Sequence, residues 1–268
     1  MLRSLEDLER YAVTATDGDI GTVKNFLLDD ERWVVRYLVV QTTGFFEGHP
    51  VLISPVSFRE TDWASLRFNL ALTKERVQNS PAYDSDKPFS RQLEGEFFQY
   101  YGYAPYWGYL GHWGSGAYPT QLSKKEGDVE TLAHSGSASD VHLRIAREVR
   151  GYNIEGTDAP IGHVEDFIVD DETWEVRYLV IDTSNWWFGK KVLVAPQWAS
   201  RISWEDKKVY VDLSRAAIQN SPEWDSCAPV NRAYETRLYD YYGRPQYWDG
   251  SDRPVWSPAP PHSASRPG

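Results

Sequence analysis

Cysteine is all but missing from this chain: Cys227 stands alone among 268 residues, which excludes an internal disulfide framework and a multi-cysteine zinc site. Long apolar runs are missing too. The longest, such as Tyr37–Val40, have the length of a strand and fall far short of the roughly 20 residues a membrane-spanning helix requires. The first ten residues carry Glu6, Asp7 and Glu9 and no hydrophobic stretch, which is not the pattern of a signal peptide. Positive charge is scarce: 28 Lys+Arg face 39 Asp+Glu, for a formal net charge of −11. The longest basic runs are the pairs Lys124-Lys125, Lys190-Lys191 and Lys207-Lys208. Such a surface repels a polyanion, so nucleic acid is not an expected partner. A soluble protein of the reducing cytoplasm, without a transmembrane segment, is expected.

Aromatic side chains are what the chain has in excess. Its 12 Trp, 17 Tyr and 10 Phe make up 15% of the residues, a composition suited to small β cores and to interfaces.

The pattern that organises the chain is a duplication. Asp29-Asp-Glu-Arg-Trp-Val-Val-Arg-Tyr-Leu-Val39 recurs as Asp170-Asp-Glu-Thr-Trp-Glu-Val-Arg-Tyr-Leu-Val180, an offset of 170 − 29 = 141. The same offset pairs Gly21 with Gly162, Phe26 with Phe167, Gly48 with Gly189, Pro55 with Pro196 and Trp63 with Trp204. It runs without a gap through Gln78-Asn-Ser-Pro81 and Gln219-Asn-Ser-Pro222 to Tyr106-Trp107 and Tyr247-Trp248. Residues 2–107 and 142–248 are therefore two copies of one unit. Between them, residues 108–141 are rich in Gly and Ser and read as a flexible or surface-wrapping linker. Residues 249–268, with Pro258-Ala-Pro-Pro261, read as a disordered tail.

Within a copy the pattern is mostly strand. Ile161–Val169 is a strand run, and Trp174–Ile181 follows with Trp174, Val176, Tyr178 and Val180 on one face at period two. Asp170-Asp171-Glu172 between them is a solvated hairpin turn, where aspartate side chains bond their own backbone. Lys191–Ala195, stopped by Pro196, and Lys208–Asp212 are further strands. A short helix capped by Ser214 (Thr73 in the first copy) ends before Pro222. Several short strands and one minor helix predict a small β-barrel in each copy, the two related by a pseudo-two-fold axis.

Candidate chemistry is thin. Asp29–Glu31 and Asp170–Glu172 lack the glycine and distal glutamate of a calcium loop. The six histidines, His49, His112, His134, His142, His163 and His262, have no metal-motif spacing. No nucleophile elbow surrounds a serine, and Gly114-Ser-Gly116 has no strand before it and no helix after it. No catalytic residue, metal, nucleotide or redox cofactor is therefore expected. The informative segments are two aromatic arms, Phe97–Trp107 and Tyr239–Trp248, each beyond its barrel. Their Tyr100, Tyr101, Tyr106, Trp107, Tyr241, Tyr242, Tyr247 and Trp248, with Trp186 and Trp187, are either added core or a candidate binding surface. Gly102 and Gly243 let the chain turn back there, which places Trp107 and Trp248 in the core.

The ordered set Ile161-Gly162, Asp170, Trp174–Val180, Val192-Leu-Val194 and Pro196, present twice, resembles the PRC-barrel domain. That family is named from the cytoplasmic domain of the photosynthetic reaction-centre H subunit and also contains the C-terminal domain of the ribosome maturation factor RimM. Asn220-Ser-Pro222 with Tyr241-Tyr-Gly243 and Tyr247-Trp248 resembles its bacterial stand-alone branch. The H subunit's transmembrane helix and RimM's separate N-terminal barrel have no counterpart here. The resemblance implies a tandem PRC-barrel protein acting as a non-catalytic binding or adaptor module, with a protein as partner and a stress response as setting. It would be a pseudo-dimeric monomer, with further homo-oligomerisation open. The second reading is a membrane-peripheral partner of a photosynthetic or electron-transfer complex; an enzyme of unknown type is third.

Overall fold

The computed structural model describes residues 1–43, 50–84, 87, 89–107, 109–122, 142–183 and 190–249. The first half runs β1 (Leu2–Ser4), α1 (Leu5–Leu8), β2 (Ala12–Ala15), β3 (Gly18–Asp29), β4 (Val34–Thr42), β5 (Pro50–Ile53), β6 (Phe58–Asp62), β7 (Arg67–Leu70), α2 (Lys74–Gln78) and α3 (Arg91–Tyr101). The second half runs β8 (Leu143–Ile145), α4 (Ala146–Val149), β9 (Asn153–Glu155), β10 (Pro160–Asp170), β11 (Val176–Asp182), β12 (Lys191–Val194), β13 (Ala199–Ser203), β14 (Lys208–Val211), α5 (Arg215–Gln219) and α6 (Arg232–Tyr242).

These strands build two seven-stranded sheets of one topology. Their orders are β5-β4-β3-β2-β7-β6 and β12-β11-β10-β9-β14-β13, with β2–β7 and β9–β14 pairing in parallel. The expected mainly-β fold of two modules is present. One recurring glycine shows how tightly the geometry is repeated. A Cβ on Gly21 would stand 2.0 Å from the Gln41 carbonyl oxygen, and one on Gly162 would stand 2.1 Å from that of Asp182. Only glycine lets the long strand approach its neighbour so closely.

The seventh strand of each sheet comes from the other half. β1 pairs with β10, and β8 pairs with β3, so the modules exchange their first strands. The sequence boundaries 2–107 and 142–248 thus do not coincide with sheet membership. Three-residue strands carry no pattern that says which sheet they will join.

The contacts across the junction are reciprocal at the offset of 141. Val35 N–H donates to the Trp174 carbonyl at 2.8 Å, and Val176 N–H to the Trp33 carbonyl at 2.7 Å. Asp30 N–H donates to the His142 carbonyl, and Asp171 N–H to that of Met1. Arg144 Nε meets Asp30 Oδ2 at 2.7 Å, and Arg3 Nε meets Asp171 Oδ2 at 2.6 Å. The same two arginines lie over Trp204 and Trp63. Contacts in which residue i of one half meets j of the other, and j's counterpart meets i's, define a pseudo-two-fold axis.

Trp174 departs from the expected strand. It and Trp33 sit in left-handed backbone, at φ 61° and 55°, and strand β11 begins only at Val176. The hairpin tip turns there to insert the Trp174 ring into the other module, where it meets Phe58 at 5.4 Å and Phe68 at 5.9 Å. Burial of a large ring outweighs the backbone strain of one residue. The expected short helices are α2 and α5, capped by Thr73 and Ser214. The arms are better ordered than their sequence suggests. α3 and α6 are eleven-residue helices capped by Ser90 and Asn231, and each ends at a left-handed glycine, Gly102 or Gly243.

Candidate functional site

Beneath α3 and α6 lies the same polar cluster, built twice. Glu94 of α3 is fully buried, with Oε1 accepting from Tyr37 Oη at 3.2 Å and Tyr106 Oη at 2.8 Å. Arg91, one turn earlier on the same helix, reaches Glu94 Oε2 at 2.6 Å. In the second module Glu235 accepts from Tyr178 and Tyr247, each at 2.7 Å, and pairs with Arg232 at 3.0 Å. The arms thus return each chain to its helix so that a tyrosine hydroxyl can satisfy a buried carboxylate. Burial first, with the neighbouring carboxylate adding to it, raises Tyr37, Tyr106, Tyr178 and Tyr247 above the usual tyrosine range. These hydroxyls stay neutral donors.

Glu94 and Glu235 escaped the sequence reading, because a glutamate on a helix resembles a solvated one. The available signal was the offset: Arg91, Glu94, Tyr37 and Tyr106 all recur 141 residues later.

The turn aspartates are also less solvated than expected. Asp29 Oδ1 caps the turn at Glu31 N and Arg32 N, as anticipated, and Asp170 does the same at Glu172 N and Thr173 N. But Asp29 Oδ2 forms a buried pair with Arg36, at 2.7 Å from Nη2 and 3.0 Å from Nε. Burial works to raise the Asp29 carboxyl, and the adjacent guanidinium holds it below its ordinary range instead. Asp30 is pushed up to about 6 by burial, against the opposing pull of Arg144.

The first module's pair is covered by residues read as a flexible or surface-wrapping linker. Residues 109–122 form a strap across the junction. Arg32 donates to the Gly111 and Tyr109 carbonyls, and Arg36 Nη1 to that of His112. Trp113 is buried, lies 4.9 Å from the Arg36 guanidinium, and donates Nε1–H to the Thr173 carbonyl of the other module at 2.8 Å. Three arginine-held carbonyls and one buried ring fix the strap, features that its glycine-rich sequence does not advertise.

The candidate surface residues divide. Tyr101 and Tyr106 are core and present no surface, because their rings close the barrel under α3. Trp107 and Trp248, expected in the core, are half-buried: each stacks on its own helix, against Phe98 at 5.3 Å and Tyr239 at 5.1 Å, with an arginine over its ring. Tyr242 and Tyr247 are half-buried too. Trp186 and Trp187 lie outside the described residues. Tyr100 is half-buried as well, and of the two equivalent residues Tyr100 and Tyr241 only Tyr241 is exposed. Tyr100 donates its hydroxyl to the Arg76 carbonyl of α2, and Tyr241 to the Ala217 carbonyl of α5, each at 2.8 Å. Tyr241 is 41% exposed. Among the described residues no three His, Cys, Asp or Glu side chains group so as to hold a metal ion.

The family comparison matches residues 144–218 to the PRC-barrel domain. Residues 144–218 carry a PRC-barrel domain. The match opens inside the exchanged strand β8 and closes inside α5, so this PRC-barrel segment contributes its first residues to the other sheet. An uncharacterised protein of Deinococcus radiodurans is 32% identical over 96 residues, which covers 34% of this chain and 34% of that protein. The chain thus spans about a third of the relative it matches. No helix among the described residues is long and apolar enough to cross a membrane.

Proposed function

We propose that this protein is a non-catalytic, cytoplasmic adaptor of two PRC-barrel-type modules, and that its ligand is another protein. The observation that carries this reading is the fixed pair of rings Tyr100 and Tyr241, the first half-buried and the second exposed. Each is tied through its hydroxyl to a neighbouring helix, and the two stand at pseudo-two-fold positions of a locked pair of modules. A ring already held in place loses little entropy when it is covered, which is what recognition surfaces use aromatics for. The PRC-barrel match supports a binding module in the same sense. The polar side chains under α3 and α6 support it as well, since their hydrogen bonds are spent on one another.

The test is affinity capture with the full chain and with the Tyr100→Ala/Tyr241→Ala variant, from the cell that makes it. A protein partner recovered in fixed ratio by the parent, and reduced about ten-fold by the variant, is the expected result for loss of aromatic anchors. Equal recovery by both baits overturns the assignment of the rings. Turnover of a metabolite by the purified chain overturns the non-catalytic reading, and capture of intact membrane complexes replaces it with the membrane-peripheral one. A setting in a stress response belongs to the same proposal. Chain abundance unchanged by heat, desiccation or oxidant removes it.

A further inference from the structure

Most contacts across the junction have a counterpart on the far side of the pseudo-two-fold axis. On the axis itself a residue meets its own equivalent at the offset of 141. Val34 forms a backbone bridge with Glu175, and Arg150 Nη1 stands 2.9 Å from Glu9 Oε1. The axis therefore passes between Glu9, which ends α1, and Arg150, which ends α4.

The contacts off the axis do not discriminate between the halves. Arg3 and Arg144 each meet an aspartate of the other half, and both halves carry both partners, so two identical halves would satisfy them equally well. The contact on the axis is different. The Glu9 and Arg150 side chains are 15% and 16% exposed, so their charges are largely withdrawn from water. Arg147 of α4 reaches Glu9 Oε2 as well, at 3.4 Å. Among the described residues, both ion-pair partners of Glu9 thus belong to the second half. Arg150 has a further carboxylate in its own module, Asp166 at 3.1 Å, where the first half carries the neutral Asn25. The residues equivalent to Arg147 and Arg150 are Glu6 and Glu9. Another first half seated here would bring two glutamates to Glu9 in place of two arginines, and like charges withdrawn from water repel strongly.

We infer that Glu9 makes the junction selective, so that the exchange surface of the first half accepts the second half and rejects another first half. The partner this surface fits is a short strand followed by a helical turn whose arginines stand three residues apart, as Arg147 and Arg150 do. Any exchange of segments between two copies of the chain must then match a first half with a second.

Charge reversal in the full chain tests this. Arg147→Glu/Arg150→Glu gives the second half the charges of the first at both positions, and its urea midpoint should fall by about 1 M from that of the parent. Arg147→Gln/Arg150→Gln removes the attraction without adding repulsion and should lose about half as much. Adding Glu9→Arg to the glutamate variant re-forms the ion pairs with their signs exchanged, and should recover at least about half of the loss. Equal midpoints for the glutamate and glutamine variants overturn the inference, because the arginines then act through packing alone. So does a glutamate variant that Glu9→Arg fails to restore. If the glutamate variant does not fold, circular dichroism of the combination with Glu9→Arg decides in its place: a folded protein supports the inference and an unfolded one overturns it.

Discussion

The two modules share a strand order, a helix pair and a buried Glu–Tyr–Tyr–Arg cluster, yet they handle one ion pair differently. Asp29–Arg36 is sealed under the strap; Asp170–Arg177 is loose and reaches solvent. The helix pairs follow suit: Arg91 is 8% exposed on its glutamate, whereas Arg232 is 54% exposed on its own. The two modules agree in the core, where volume and register leave no freedom. The difference enters, among the described residues, where residues 109–122 cover one of the two pairs. A covered ion pair has lost its water and depends on its partner, while an open one can be hydrated.

That contrast should be largest when the pair is broken. Arg36→Ala leaves the Asp29 carboxylate buried and unpaired, and should cost about 3–5 kcal/mol of unfolding free energy. Arg177→Ala should cost about 1 kcal/mol, since Asp170 is partly exposed to solvent. Denaturant midpoints of the two variants decide it, and equal losses would mean the strap does not set the difference.

Trp113→Ala should cost about 3 kcal/mol, as for a fully buried large ring. Trp107→Ala and Trp248→Ala should each cost about half that, because their rings are half-buried. The same melts rank the three.

Gly21→Ala and Gly162→Ala sharpen the opposite side of the comparison, where the copies agree. A methyl group meets a backbone carbonyl in both, so each should lose about 2–3 kcal/mol and the two values should match. A large difference would place slack in one sheet.

The smallest effect is on pH. Burial pushes Asp30 and Asp166 up to about 6, and both hold exchanged segments: Asp30 through Arg144, and Asp166 through Ser4 and the Glu6 amide. A carboxyl with a raised folded pKa is taken up protonated by the folded state, so its ionisation above about 6 destabilises the fold. His142 acts in the same direction. Burial opposes its charge, but the Glu94 carboxylate raises it, so its contribution is present in acid and lost as pH rises through its folded value. Stability should therefore climb by about 1–2 kcal/mol between pH 8 and pH 5. It should fall again below pH 4, where Asp29, held low by Arg36, loses its charge. Asp30→Asn should flatten the slope between pH 5 and 8 in thermal melts.

Much of this molecule was legible in its residues. A gap-free offset of 141 announces two modules, period-two runs mark β10 and β11, and Thr73 and Ser214 mark the starts of α2 and α5. Those features are local or periodic, and local chemistry decides them. Gly102 and Gly243 likewise declare their turns, because a positive φ is a property of one residue. Tertiary structure alone decided the rest. Leu2–Ser4 and Leu143–Ile145 join the opposite sheets, Trp174 abandons its strand to fill the neighbouring core, and Trp113 seals Arg36 from a segment that reads as linker. Tyr106 and Tyr247 donate to buried glutamates. Each of these is a contact between residues far apart in the chain, set by which surface was left to be covered once the sheets had formed, and no pattern within one segment carries that information.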